Sequence, residues 1–132
     1  MIDHLDINGS PPSVTGKVCQ ELLAEDYYFA GVLDSPASVV HFQIGCAWYR
    51  LYFDCGIIFW RNSDAPPEGC QMPELNAEFR IRDLGEDYKI RGALFDGIAM
   101  YAIEGGAEVK FSFSGNRVIY FSDINDTTTH HD

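Results

Sequence analysis

From residue 27 onward the chain is cut into short aromatic and β-branched runs by turn signals, a punctuation that favours strands over helices. The runs fall at 27–33, 38–44, 48–53, 57–61, 78–83, 88–95, 98–103, 108–114 and 117–122. A stretch at 62–77 breaks the series with Pro66, Pro67, Gly69 and Pro73 and reads as a loop. Two of the turn signals set a register. Asp96-Gly97 predicts a two-residue hairpin pairing Phe95 with Ile98 and, further back, Ile90 with Ile103. Gly115-Asn116 predicts a second, pairing Phe113 with Val118 and Phe111 with Tyr120. Its core face would carry Val109, Phe111, Phe113, Val118 and Tyr120.

Before residue 27 the pattern differs. Val14, Val18 and Leu22 recur every four residues, Ser10 can cap, and Pro11 and Pro12 are tolerated in a first turn. The spacing predicts a helix over 11–26, which Gly16 weakens. Residues 1–10 read as an irregular arm and 123–132 as a polar, disordered tail containing His130 and His131. At 132 residues, with 46% hydrophobic side chains, the chain suits one domain with a real core. The expected fold is mainly β (α+β). An N-terminal helix packs on a curved antiparallel β-meander, sandwich or barrel-like, of about eight to nine strands. Nine is awkward for a closed antiparallel barrel, which needs an even number.

Acids outnumber bases by 20 to 9, for a formal charge of −11. This disfavours nucleic acid and anionic membranes and favours a basic protein partner. MIDHLDINGS lacks the basic and apolar regions of a secretory signal, and no apolar run reaches the roughly 20 residues of a spanning helix. A cytoplasmic location follows as the expectation, in which the sequons at Asn8 and Asn125 carry no meaning. Cys19, Cys46, Cys55 and Cys70 lack zinc-knuckle spacing and are expected as free thiols. No metal or cofactor is expected. No G-x-S-x-G, H-E-x-x-H, Walker or dinucleotide-binding glycine pattern occurs. A Cys–His–Asp set of His41, Cys55 and Asp54 has no motif behind it, so a non-enzymatic role is expected.

Two surfaces stand out. If every link is a hairpin, alternate turns lie at one end of the sheet. That end would gather Asp34, Asp54, Asp83, Glu86, Asp87 and Glu104, with Asp123 and Asp126 of the tail, into an acidic rim. The second surface is one face of strand 48–54, with Trp48, Arg50, Tyr52 and Asp54, extended by Trp60 and Arg61. Trp, Tyr and Arg are the residue types enriched at binding hot spots. Arg80, Arg82, Lys89 and Arg91 are expected on one hairpin face, where either carboxylates or a bound anion must neutralise them.

In size and composition the chain resembles the small acidic immunity proteins of bacterial toxin–immunity systems. The resemblance implies inhibition of a basic toxin, such as a nuclease, by occlusion of its active site. The alternative is a small-ligand-binding β-barrel of calycin-like architecture, although large residues such as Phe111, Phe113 and Tyr120 argue for a filled interior.

Overall fold

In the computed structural model, which describes residues 5–132, two sheets face each other across one apolar core. The seven-stranded sheet has the order β1-β5-β4-β3-β2-β7-β6 and the four-stranded sheet the order β11-β10-β9-β8. Their strands are β1 (Ile7–Asn8), β2 (Glu21–Phe29), β3 (Val32–Ile44), β4 (Ala47–Asp54), β5 (Ile57–Ser63), β6 (Cys70–Met72), β7 (Ala77–Asp83), β8 (Phe95–Ile103), β9 (Gly106–Phe113), β10 (Arg117–Ile124) and β11 (Thr127–His131). Every pairing is antiparallel except β1 on β5. Both sheets are open, so the odd-strand problem of a closed barrel does not arise.

The helix expected over 11–26 is absent. Residues 11–20 run extended around a turn in which Gly16 takes a left-handed φ of +78°. They are tied to the chain before and into β8: Cys19 N–H donates to Ala93 O, and Phe95 N–H to Lys17 O, both at 2.8 Å. From residue 21 a two-residue period overrides the four-residue one, with Leu22, Ala24 and Asp26 all buried. Two prolines, a glycine and β-branched residues left the helix no propensity with which to compete.

Residues 88–95 were expected as a strand and are not one. The Asp83 side chain accepts from Glu86 N–H (3.1 Å) and caps a one-turn helix, α1 (Leu84–Asp87). Left-handed Lys89 (φ 58°) and Gly92 (φ 85°) then turn the chain into β8. Asp96-Gly97 makes no hairpin; it sits inside β8 as a bulge opposite the pairing of Phe95 with Phe113. The Ile90–Ile103 pairing therefore does not form.

The Gly115-Asn116 reversal does form, but it takes three residues, 114–116. Phe113 pairs with Arg117 and Phe111 with Ile119, one residue away from the expected register. A slip of one residue exchanges the faces of a strand, so Ile119 and Phe121 enter the core in place of Val118 and Tyr120. Two further segments are more ordered than expected. Ile7 and Asn8, in the expected irregular arm, form β1; the remainder of that arm, 1–4, lies outside the described residues. The polar tail forms β11, joined to β10 through left-handed Asn125 and Asp126.

The core is a stack of phenylalanines between the sheets. Phe42 meets Phe111 edge to face at 5.2 Å, Phe95 lies 4.8 Å from Phe113, and Phe111 lies 5.2 Å from Phe121. Each fully buried ring of this kind contributes roughly 1.5–3 kcal/mol over its exposed state. The expected loop 62–77 contains β6 and a 3-10 turn (Pro73–Leu75). Because β5 and β6 lie on opposite sides of their sheet, 64–69 must cross it. A Cβ built on Gly69 would meet Phe79 O and the Ile81 side chain, and Ile81 lies beside Glu25 on the face turned from the core. The segment is a strap over that outer face.

Candidate functional site

Strand directions sort the turns into two ends. Turns 30–31 and 55–56 of the larger sheet share one end with turns 104–105 and 125–126 of the smaller. Cys55 N–H donates to Asp126 Oδ1 (3.1 Å), which fastens the two sheets together there, and Asn125 N–H donates to Gly105 O (3.0 Å), which joins the two turns of the smaller sheet. Asp34, Asp54, Glu104, Asp123 and Asp126 gather at this end, hereafter the hairpin end. Turn 45–46, α1 and turn 114–116 occupy the other.

The expected single rim is thus divided: Asp83, Glu86 and Asp87 stand at the far end. There they are neutralised from within. Arg82 bonds Asp87 (2.7 Å), Lys89 bonds Glu86 (2.9 Å), and Arg91 bonds Glu21 (2.5 Å) and Asp83 and reaches Glu86 at 3.5 Å. Arg80 pairs with Glu78 (2.7 Å) and lies over the Tyr28 ring at 3.9 Å. The four cations are held by the protein's own carboxylates, which removes the need for a bound anion.

At the hairpin end no ion pair among the described residues involves Asp34, Asp54, Glu104 or Asp126. The crowding of acids leaves its mark on the titrating groups. Burial, then Asp126 and Asp54, hold the Asp123 carboxyl above the usual carboxylate range, while a bond from Thr128 partly opposes them. Asp123 is 2% exposed and its Oδ2 has no hydrogen-bond partner among the described residues. The field of Asp54, followed by Asp126 and Asp123, raises the Cys55 thiol.

The aromatic face of β4 is less accessible than the sequence suggests. Trp48 is 8% exposed, on the outer face that the strap 64–69 crosses. Arg50 and Tyr52 are half-buried, and Tyr52 stacks on Phe59 with centroids 5.0 Å apart. Trp60 points the other way. It pairs with Leu51, is 3% exposed, stacks on Phe111 and donates to Met100 Sδ (3.2 Å). Neither tryptophan is an exposed anchor. Exposed apolar side chains stand elsewhere, around the β2–β3 tip: Phe29 (52% exposed), Val32 (68%) and Leu33, with Leu75 on the neighbouring 3-10 turn. Ala30 N–H donates to Asn76 O (2.8 Å), which holds the tip against that turn, beside a depression of about 150 Å³ lined by Tyr28, Met72 and Glu78. The run 27–33 concealed this tip because its reversal at Ala30-Gly31 lies inside an otherwise continuous strand pattern.

His41, Cys55 and Asp54 are not assembled. His41 is buried on the outer face, opposite Arg50, with Nε2 2.6 Å from Glu25 Oε1, whereas Cys55 is exposed at the hairpin end. Among the described residues no group of three His, Cys, Asp or Glu side chains can hold a metal ion. All four cysteines are free; Cys19 is buried, and burial, with Glu21 adding to it, pushes its thiol up to about 12. His130, expected in a disordered tail, is half-buried in β11 with Nδ1 2.6 Å from Tyr88 Oη; burial, then Arg82, lower its pKa. No helix among the described residues is long and apolar enough to cross a membrane. Comparison with protein-family models, curated proteins and solved structures finds no match.

Proposed function

We propose that this chain is a binding protein that neutralises a basic protein partner, in the manner of an immunity protein occluding the cationic cleft of a toxin such as a nuclease. The observation that carries the reading is the asymmetry of charge. Asp83, Glu86 and Asp87 at the far end are held in internal ion pairs, whereas Asp34, Asp54, Glu104 and Asp126 at the hairpin end have none among the described residues. The exposed Phe29, Val32 and Leu33 project at the same end. Unpaired surface charge steers an oppositely charged partner, and exposed apolar side chains supply contacts that are desolvated on docking. The ligand-barrel alternative draws no such support, because Phe42, Phe95, Phe111 and Phe121 fill the space between the sheets.

The test takes the product of the adjacent gene as partner and follows the association rate between about 20 and 200 mM salt. The rate should fall steeply with salt. Asp126→Lys should lower it and flatten the dependence, whereas Asp87→Lys at the far end should leave it nearly unchanged. An association rate indifferent to salt, or equally sensitive to both substitutions, refutes the reading.

A further inference from the structure

Two open sheets have four edges, and three of these are protected. The β1 edge is two residues long and the β6 edge three, too short to template another strand, and where β5 and β7 run on beyond them, over 60–63 and 80–83, they carry the charged Arg61, Arg80 and Arg82. The β11 edge lies against β3. The fourth, β8, is nine residues long. Its start is occupied, since Gly16 N–H donates to Phe95 O and Phe95 N–H to Lys17 O. Over 97–103 the strand reads Gly-Ile-Ala-Met-Tyr-Ala-Ile, without charge or proline. Among the described residues no backbone bond outside the β8–β9 ladder reaches this stretch. Ile98 and Met100 pack against the core and fix the strand in place, while Tyr101 is exposed. Natural edges of this length are ordinarily blunted by lysine, proline or a covering element.

We propose that the edge of β8 over 97–103 is a docking site for an extended segment of a cationic protein, added to the sheet as a further strand. The proposal rests on the reading given under Proposed function and specifies a mode of docking for it. Main-chain pairing would supply affinity, since alternate residues of an antiparallel edge strand turn their N–H and C=O groups away from the neighbour. Charge selects the occupant. Asp96 and Glu104 flank the neutral stretch about 27 Å apart at the usual rise per residue. Neither is in an ion pair among the described residues, and Glu104 belongs to the acidic hairpin end. A second copy of the chain is disfavoured by the same residues. Antiparallel pairing about Met100 would set Asp96 of each copy against Glu104 of the other, and like charges directly opposite destabilise a sheet.

The probe is a synthetic peptide, Lys-Thr-Val-Thr-Val-Thr-Val-Thr-Lys, whose lysines match the spacing of Asp96 and Glu104. It is titrated into the full ¹⁵N-labelled chain beside a twin ended with glutamates and a version N-methylated at alternate residues. The lysine peptide should shift the amides of 97–103. The glutamate twin should bind on the order of tenfold more weakly, and N-methylation should abolish the response without altering the protein. Equal responses to the two charged peptides, survival of binding after N-methylation, or concentration-dependent self-pairing at 97–103 without peptide would each overturn the proposal. Shifts confined to turns 55–56, 104–105 and 125–126 also overturn it, while leaving the acidic end as the partner surface. A salt-indifferent partner association with the 97–103 response intact would instead sink the broader reading alone.

Discussion

Gly106 opens β9 where the two strands of the smaller sheet come unusually close. A Cβ built on it would lie 1.8 Å from Asp123 O and 2.8 Å from Asp123 C. Ordinary carbon–oxygen contacts are about 3.3–3.6 Å, so Gly106→Ala requires the strands to separate by about 1.5 Å. No flexible side chain can yield, because the clash is with the backbone of β10. The pairs at stake are Ile124 with Gly106 and Asp123 with Ala107. A hydrogen bond lengthened by that much is lost, and two or three ladder bonds at about 1 kcal/mol each, with some loss of packing, set the cost. The smaller entropy of an unfolded alanine returns about 0.5–1 kcal/mol. The net expectation is a destabilisation of about 2–3 kcal/mol, read as a fall in the urea midpoint of about 1–2 M. Gly97→Ala is the matched comparison in the same sheet: nothing lies within 4 Å of its Cβ and its φ is not positive. It should be neutral or slightly stabilising. If both variants unfold at the wild-type midpoint, the close approach at Gly106 is not a constraint and the reasoning fails.

Three further outcomes follow from the titrating groups. Asp123 has a raised folded pKa, so its contribution to stability is present below the unfolded value of about 3.9 and lost as pH rises through the folded one. Asp123→Asn should therefore gain about 1–2 kcal/mol at pH 8 and little at pH 3, measured by urea unfolding at each pH. His130 runs the other way. Its folded pKa is lowered, so its contribution is present above about pH 6.5 and lost as pH falls through the folded value; His130→Gln should flatten the acid limb of a thermal-melt series, and an unchanged limb would refute its part in it. In thiol labelling of the native chain, Cys46, Cys55 and Cys70 should react while buried Cys19 waits for denaturant; four labels on the native protein would contradict the core position of Cys19.

The strands with unbroken apolar alternation were legible: 48–53, 57–61, 78–83, 98–103, 108–114 and 117–122 all lie within observed strands, give or take their ends. What failed was local chemistry with two outlets. Asp96-Gly97 is as good a bulge as a turn, and only the burial of Phe95 between Phe42 and Phe113 decides for the bulge. Ser114 could belong to the strand or the turn, and its place in the turn exchanged Val118 and Tyr120 for Ile119 and Phe121 in the core. The helix expected over 11–26 rested on three residues at four-residue spacing, which the alternation of Leu22, Ala24 and Asp26 overrode once a partner strand stood on each side.

The candidate site shows how such errors propagate. Which end of a meander a turn occupies depends only on whether the number of strands before it is odd or even. The sequence omitted β6 and inserted a strand at 88–95, and the two errors have opposite effects on that count. Between them lies the group Asp83, Glu86 and Asp87, which is why the strand count places these three alone at the wrong end. After residue 98 the count is correct again, so Glu104 and Asp126 join Asp54 as expected, through the bonds at Cys55 and Asn125. The misplaced group is also the ion-paired one. Arg82 directly precedes it and Lys89 and Arg91 follow it closely, so an acid-rich turn flanked by arginines tends to neutralise itself wherever it lies. Turns at 54, 104 and 126 have no cation within four residues on either side except Arg50, which lies back along β4 with its Nε buried. Local charge balance along the chain therefore marks Asp54, Glu104 and Asp126 as free acids without knowledge of the topology, and the folded arrangement brings these three to one end, while Asp96, with the same local balance, stands free at the other.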